Sequence, residues 1–349
     1  MNLNPAPARP KQREGGCLRL PVRSLAKAGL RGYLLIVMMA AFSASAQDAR
    51  TKDLKNREDS LRSVSDRIIG GREAADRFRS DSLFTRMLVR ALKVPGSFAY
   101  PFDSLSTISR LYAPDSAFRI FTWQVVRDEG MHRRHGAIQM RTTDGSLKLF
   151  PLIDRSFLIH DQADTVAGNE WWIGSIYYKV ILKRSNGRNV YTLLGYDENT
   201  IRSTKKRIEV LTFDASGQPV FGGRWFTFPK DTLRRADQSR FWIEYKKDGN
   251  ARMQWDEELD MIIFEHLIPE NNEPQKRYTY IPDGDYEGFK WMNGKWEHIE
   301  KVFTFKLQDG QAPVGNPVHD GKFGDTVPGE SDPLPAPKPP VKKKKGSGG

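Results

Sequence analysis

From Phe118 to Leu307, apolar residues alternate with polar ones or run in short blocks rich in Val, Ile, Tyr, Trp and Phe. A two-residue rhythm broken by turn residues is the mark of antiparallel strands. It predicts strands at FRIFTWQVV, GAIQMRT, LKLFPLI, WWIGSIYYKVILK, VYTLLGYD, KRIEVLTFD, PVFGGRWFTF, RFWIEYKK, ARMQWDEEL, MIIFEHLI, FKWM and KWEHIEKVFTF. Asp144-Gly145, Asn186-Gly187, Ser216-Gly217, Asp248-Gly249 and Asn293-Gly294 each supply a residue able to take positive φ at a tight turn. Short links between successive strands predict a meander, and without helical crossovers a parallel sheet is excluded. About ten strands is near the limit of one open twisted sheet. The expected fold is therefore mainly β, an antiparallel meander forming a strongly bent sheet or open barrel, with a β-sandwich as the alternative. No self-similar unit supports a propeller.

Ahead of the strands the period changes. Leu54, Leu61, Val64 and Ile68 make a narrow stripe at helical spacing among many charges, interrupted by Gly70-Gly71. A mobile charged linker and a short coiled coil both remain open for this segment. SDSLFTRMLVRALKVPG reads as a better helix, with Ser80 or Asp81 as cap, a stripe of Phe84, Met87, Leu88, Ala91 and Leu92, and a stop at Pro95-Gly96.

Further upstream, Arg31, an apolar run from Tyr33 to Phe42 and Ala44-Ser45-Ala46 before Gln47 follow the order of a secretory signal peptide. The run is about half the roughly 20 residues that span a bilayer. Export with cleavage after Ala46 is expected, placing the product in the periplasm, the cell envelope or outside the cell. Cys17, the sole cysteine, precedes the apolar run, so the exported chain would hold no thiol or disulfide. Beyond Gln308 the composition turns to Gly, Pro, Asp and Lys, which cannot bury enough apolar area to order itself. The expected organisation is a signal peptide at 1–46, a helical segment at 47–96, a β domain at 97–308 and a disordered tail at 309–349.

The formal charge is +12, but most of it lies in the leader and in the five lysines of the tail. The near-neutral body lacks the broad basic field that attracts nucleic acid, so no specific nucleic-acid binding is expected. Lys342, Lys343, Lys344 and Lys345 offer weak contact with an anionic surface.

Candidate chemistry is sparse. Asp283, Asp285 and Glu287 in DGDYE resemble half a calcium loop, but too few residues fit before the next strand to supply six to eight oxygens. The stretch reads as an acidic turn before a hairpin at Asn293-Gly294. His132 and His135 fall in a turn region at a spacing that points them apart, and His160, His266 and His298 stand singly. No metal, cofactor or catalytic residue is expected. Asp256, Glu257, Glu258 and Asp260 read as a solvated turn; with Glu170 they leave a carboxylate-dependent periplasmic hydrolase as the alternative. Aromatics carry the better signal. Adjacent aromatics on a strand face opposite ways, so Trp171, Trp172, Tyr178, Trp291 and Trp296 are candidate binding residues for a glycan or protein partner. Filling of the core is the competing role for the same rings.

YPFDSLSTISRLYAPDSAFRIFTWQ and IPDGDYEGFKWMNGKW, with the SASAQ ending of the leader, resemble uncharacterised exported proteins of Bacteroidota. The resemblance spans about Phe98 to Phe305 and implies an envelope location without implying an activity. The chain without its leader is expected to give a circular dichroism spectrum dominated by β-structure; a helix-dominated spectrum would overturn the architecture.

Overall fold

The computed structural model describes residues 23–128 and 130–303. Cys17 and the lysine run at 342–345 lie outside them, as do residues 1–22 of the expected leader. Helix α1 (Arg23–Gly70) ends at the expected glycine pair, and α2 (Ala74–Leu92) follows it. Among the described residues no helix is long and apolar enough to cross a membrane.

Leu54, Leu61, Val64 and Ile68 are all buried, and they pack with Phe84, Leu88, Ala91 and Leu92 of α2. The first stripe is therefore a packed helix face, neither linker nor coiled coil. Its charged neighbour Glu58 reinforces the packing, accepting the Tyr100 hydroxyl at 2.5 Å and the Ser104 amide at 2.6 Å. Ser80 and Asp81 do not cap α2, which begins earlier with Glu73 at the cap position. Asp81 is buried in mid-helix instead and accepts the Trp123 indole N–H at 2.7 Å, a partner from another element that the local pattern does not reveal.

Among the described residues the strands divide among three mainly antiparallel sheets, none closed into a barrel. The first is β1 (Ser109–Tyr112), β2 (Phe118–Asp128), β3 (Met131–Met140) and β4 (Lys148–Ile153), paired in chain order. The central sheet holds β5 (Ala167–Gly168), β6 (Ile176–Ser185), β7 (Arg188–Asp197), β8 (Ser203–Phe213), β9 (Pro219–Phe221) and β11 (Arg240–Lys246). One edge of β8 is shared: β11 pairs with its first half and β9 with its end. The third sheet is ordered β10 (Phe226–Thr227), β15 (Lys295–Ile299), β14 (Tyr280–Met292), β13 (Met261–Pro269), β12 (Met253–Asp256).

Alternation along the strands stacks these sheets into layers. On β2, Phe121, Trp123 and Val125 meet the helices, while Phe118 and Ile120 meet the central sheet. On β7, Tyr191 and Leu193 face the first sheet, while Val190 and Leu194 face the third. Both faces of the central sheet are thus buried, which is why its strands read as nearly continuous apolar blocks.

Several expectations change. The meander is interrupted where β11 returns to β8, and β10 pairs with β15 in parallel over two residues, so antiparallel pairing is not universal. The run expected as one strand at 219–228 breaks at Gly222 (φ +94°) and Gly223 (φ +114°), a conformation that favours glycine, and passes from the central to the third sheet. His132 and His135 lie in β3, not in a turn, because the hairpin turns at Gly130 (φ +74°). Trp171 to Ser175 is not strand: the Gly174 amide donates to Asp154 Oδ1 at 3.2 Å, and β6 begins only at Ile176.

Charged side chains sit between the first and central sheets. Arg134 of β3 pairs with Asp197 at the end of β7, with Asp154 3.8 Å away, and Arg207 of β8 lies 3.6 Å from Asp197. Further along β8, the fully buried Glu209 takes Arg240 Nε at 2.8 Å and the Tyr177 hydroxyl, which in turn accepts the Trp172 indole at 2.7 Å. Arg119 is buried without a carboxylate partner among the described residues; its Nε donates to Gln139 at 2.8 Å, and its guanidinium lies 4.7 Å from the Phe121 ring centre. Burial pulls its pKa down to about 10.

Leu61 is fully buried between the helices and the first sheet. Leu61→Ala is expected to cost about 2–5 kcal/mol in denaturant unfolding, whereas a loosely attached α1 would register almost no loss.

Candidate functional site

A groove of about 420 Å³ opens on the face of the central sheet that elsewhere packs against the third. Its lining comes from neighbouring strands. Tyr196 of β7 stands opposite Lys206 of β8, and Thr204 of β8 stands opposite Tyr245 of β11. On β6 the register with β7 shifts between Tyr177 and Lys179, leaving Tyr178 as the extra residue of a bulge. Bulges re-aim side chains, and Tyr178 joins the lining. Its hydroxyl donates to the Met253 carbonyl at 2.8 Å, which fixes the ring against the next sheet. Lys247, Gly249 and Asn250, in the turn after β11, complete the wall.

The polar groups around the tyrosines are ordered. Tyr196 donates to Glu198 at 2.8 Å, and Lys247 bonds both the Glu198 carboxylate and its backbone carbonyl, the latter at 2.9 Å. Burial alone would raise the Glu198 pKa, but hydrogen bonds from Lys247 and Tyr196 hold it below the usual carboxylate value. Tyr196 is displaced upward by burial and by Glu198. Tyr245 is pushed up to about 12 by burial and by the charges of Glu198 and Glu265. At neutral pH the groove is therefore lined by protonated phenols, an amide and two lysines, with the Tyr178 ring 38% exposed and Tyr245 almost fully buried at its base. That set can stack on a flat apolar face and exchange hydrogen bonds with hydroxyls.

Of the residues singled out in the sequence, only Tyr178 reaches this groove. Trp171 is 53% exposed, in a short 3-10 turn packed beside β4. Trp172 is fully buried with its indole bonded to Tyr177, and Trp296 is fully buried with its indole on Thr192 Oγ1 at 2.8 Å. Neither offers a face to a ligand, because each fills a contact between sheets. Trp291 is half-buried, stacked on Trp225 at 6.3 Å and edge-on to Trp296 at 5.1 Å. Tyr196, Tyr245, Lys206, Lys247 and Asn250 escaped the sequence reading. Their convergence depends on strand register and on the bulge, and neither leaves a mark in local composition.

The acidic and histidine candidates resolve differently. Asp256 caps its turn through the amides of Glu258 and Leu259, and Asp260 pairs with Lys183 at 2.6 Å, as a solvated turn would. Asp283 and Asp285 do not form a turn before the strand. They belong to β14, where Gly284 (φ +95°) produces a bulge opposite His266. His266 and His298 are not solitary: both contact Glu287, His266 at 3.6 Å and His298 at 2.9 Å. Among the described residues no group of three His, Cys, Asp or Glu side chains is arranged to hold a metal ion. No family model, curated protein or solved structure matches the chain.

Lys247→Met removes the cation that holds Glu198 down, so the Glu198 carboxyl, followed by carbon NMR, is expected to titrate at higher pH. The sign for stability follows. A carboxyl depressed in the folded state stabilises above its unfolded value, and that contribution disappears as pH falls through the folded one. The variant is expected to lose this acid-side dependence in unfolding experiments.

Proposed function

We propose that the chain is an exported, non-catalytic binding module of the cell envelope that takes a glycan in the tyrosine-lined groove. One observation carries the reading. A bulge in β6 turns Tyr178 toward Tyr196 and Tyr245, so three aromatic side chains from three strands line one opening. Sugar rings present an apolar face edged with hydroxyls, which suits aromatic rings interspersed with Thr204, Asn250 and lysine donors. The leader-like segment from Arg31 to Ala46 and the near-neutral body support an envelope location over a nucleic-acid partner.

The hydrolase reading has less support. A glycosidase needs one carboxyl with a raised pKa facing another across a cleft. Here Asp144, Glu198, Asp214 and Glu300 are all displaced downward, and Glu198, the acid beside the groove, is held by Lys247. A protein partner is the second reading, favoured by exposed Trp171 together with Phe157, 76% exposed.

Screening the purified chain on a glycan array, followed by calorimetric titration of the strongest binder, tests the proposal. Tyr178→Ala and Tyr196→Ala are each expected to weaken binding about tenfold, or about 1.4 kcal/mol, with Trp171→Ala unchanged. A blank array, or binding indifferent to both groove substitutions, overturns it. Capture of an envelope protein that is lost in Trp171→Ala would install the second reading in its place.

A further inference from the structure

Between β10 and β11 residues 229–237 form a strap that lies against β15, touching Lys295, Glu297 and His298. Its attachment is almost wholly polar. Leu233, its apolar side chain, is 73% exposed. Lys230, itself exposed, meets the half-buried Glu297 at 2.9 Å, and Asp237 meets Lys295 at 2.9 Å at the surface. Thr232 donates its amide and its hydroxyl to Glu300, each at 2.8 Å. One strap side chain turns inward: Asp231, whose carboxylate is 1% exposed and lies 2.8 Å from Nδ1 of His298.

His298 is the other half of that contact. Its ring is 0% exposed and stands among Phe228, Phe241, Phe264 and Phe289, with centroids 5.0 to 6.1 Å away. Nδ1 faces Asp231, and Nε2 faces Glu287 of β14 at 2.9 Å. A neutral imidazole carries one N–H and can donate to one carboxylate; only the imidazolium can donate to both.

We propose that the 229–237 strap is latched against β15 by the His298 imidazolium and lifts when that ring gives up its proton. The charged groups facing the ring fix which side releases. On β14, Glu287 keeps a second partner in His266 of β13, 3.6 Å away and itself bonded to Asp283 at 2.7 Å. On the strap, Asp231 has Arg235 at 3.4 Å, and Arg235 is 41% exposed and moves with the strap. Glu300, at the end of the same strand, holds Thr232 and adds negative charge near the ring. With His298 neutral, one of its nitrogens presents a lone pair to a carboxylate. The strap side, held only by polar contacts and by the Arg235 guanidinium 5.3 Å from the Phe228 ring centre, is the one that yields.

The direction with pH follows. Burial alone would favour the neutral ring, but the hydrogen bonds to Glu287 and Asp231 outweigh it and place the His298 pKa above its usual 6.5. A group raised on folding stabilises fully below its unfolded value and loses that contribution as pH rises through the folded one. The latch therefore holds below the raised His298 midpoint and opens as pH passes above it.

Hydrogen exchange of the 229–237 amides in the full chain, corrected for the intrinsic pH dependence, is the test, with the His298 midpoint read by nitrogen NMR. Strap protection is expected to fall roughly tenfold to a hundredfold as pH rises through that midpoint, the loss associated with a hydrogen bond between charged groups. Asp231→Asn is expected to leave the strap unprotected at every pH and to lower the His298 midpoint. Asp237→Asn, which breaks the strap's surface pair with Lys295, is expected to keep the pH dependence. Glu287→Gln lowers the midpoint from the far side, so the pH of release should move down with it. Protection that ignores the His298 midpoint, or that survives in Asp231→Asn, overturns the proposal.

Discussion

The layered architecture depends on compensating charges in a place where apolar residues would be expected. Arg134, Asp154, Asp197 and Arg207 lie between the first and central sheets, and Glu209 with Arg240 continues the pattern along β8. Removing such groups from water costs several kcal/mol each, and pairing offsets this only when the remaining donors are also satisfied. The chain meets that requirement in part with backbone, and Arg134 Nε, Arg207 Nε and one terminal nitrogen of Arg240 stay buried without a hydrogen bond among the described residues. Arg207 donates to the carbonyls of Ile173 and Gly174, and Arg240 to those of Gln162 and Thr165. The long segment between β4 and β6 is therefore bound to the sheets through its own carbonyls, and it has little freedom to lift while the arginines stay charged. Gly174 shows how tight the fit is: an added Cβ would sit 2.6 Å from an Asp154 oxygen.

Sheet pairing then explains how a groove survives in a molecule whose central sheet is covered on both sides. Strands β6, β7, β8 and β11 all run past the area that the third sheet covers. The emerging ends carry tyrosine and lysine in place of valine and leucine. The same face thus passes from dry packing around Ile208 and Val210 to the open lining at Thr204 and Lys206, along a single strand. Rigid strands on either side hold the opening, a firmer support than a loop-built site would have.

Much of the architecture was legible in the chain. The stripe from Leu54 to Ile68 is the buried face of α1, the alternation in β2 and β7 assigns residues to layers, and Asn293 (φ +51°) with Gly294 (φ +78°) makes the expected tight turn. The misses share a cause. Arg207 and Glu209 look like the solvent side of a half-exposed strand, and only their distant partners reveal that the face is interior. Trp172 and Trp296 carry the composition of a binding platform, yet their indoles are bonded across sheet contacts. The groove was nearly invisible because it depends on a one-residue register shift at Tyr178, whereas periodicity reports which face a residue occupies only while the register holds. His266 and His298 were read as solitary because 32 positions separate them, although Glu287 joins them in space.

The short parallel pairing of β10 with β15 has a consequence for how the chain acquires its structure. Phe226 and Thr227 find their partners at Trp296 and Glu297, and the Trp296 indole reaches back 104 positions to Thr192. Contacts so distant along the chain slow the search for the native state. During synthesis the first and central sheets can assemble as they emerge, but one border of the third must wait for the closing hairpin. Until then the rings of Phe226 and Phe228 lack Phe289, which packs edge-on against both, and a nascent chain at that stage is more exposed to self-association.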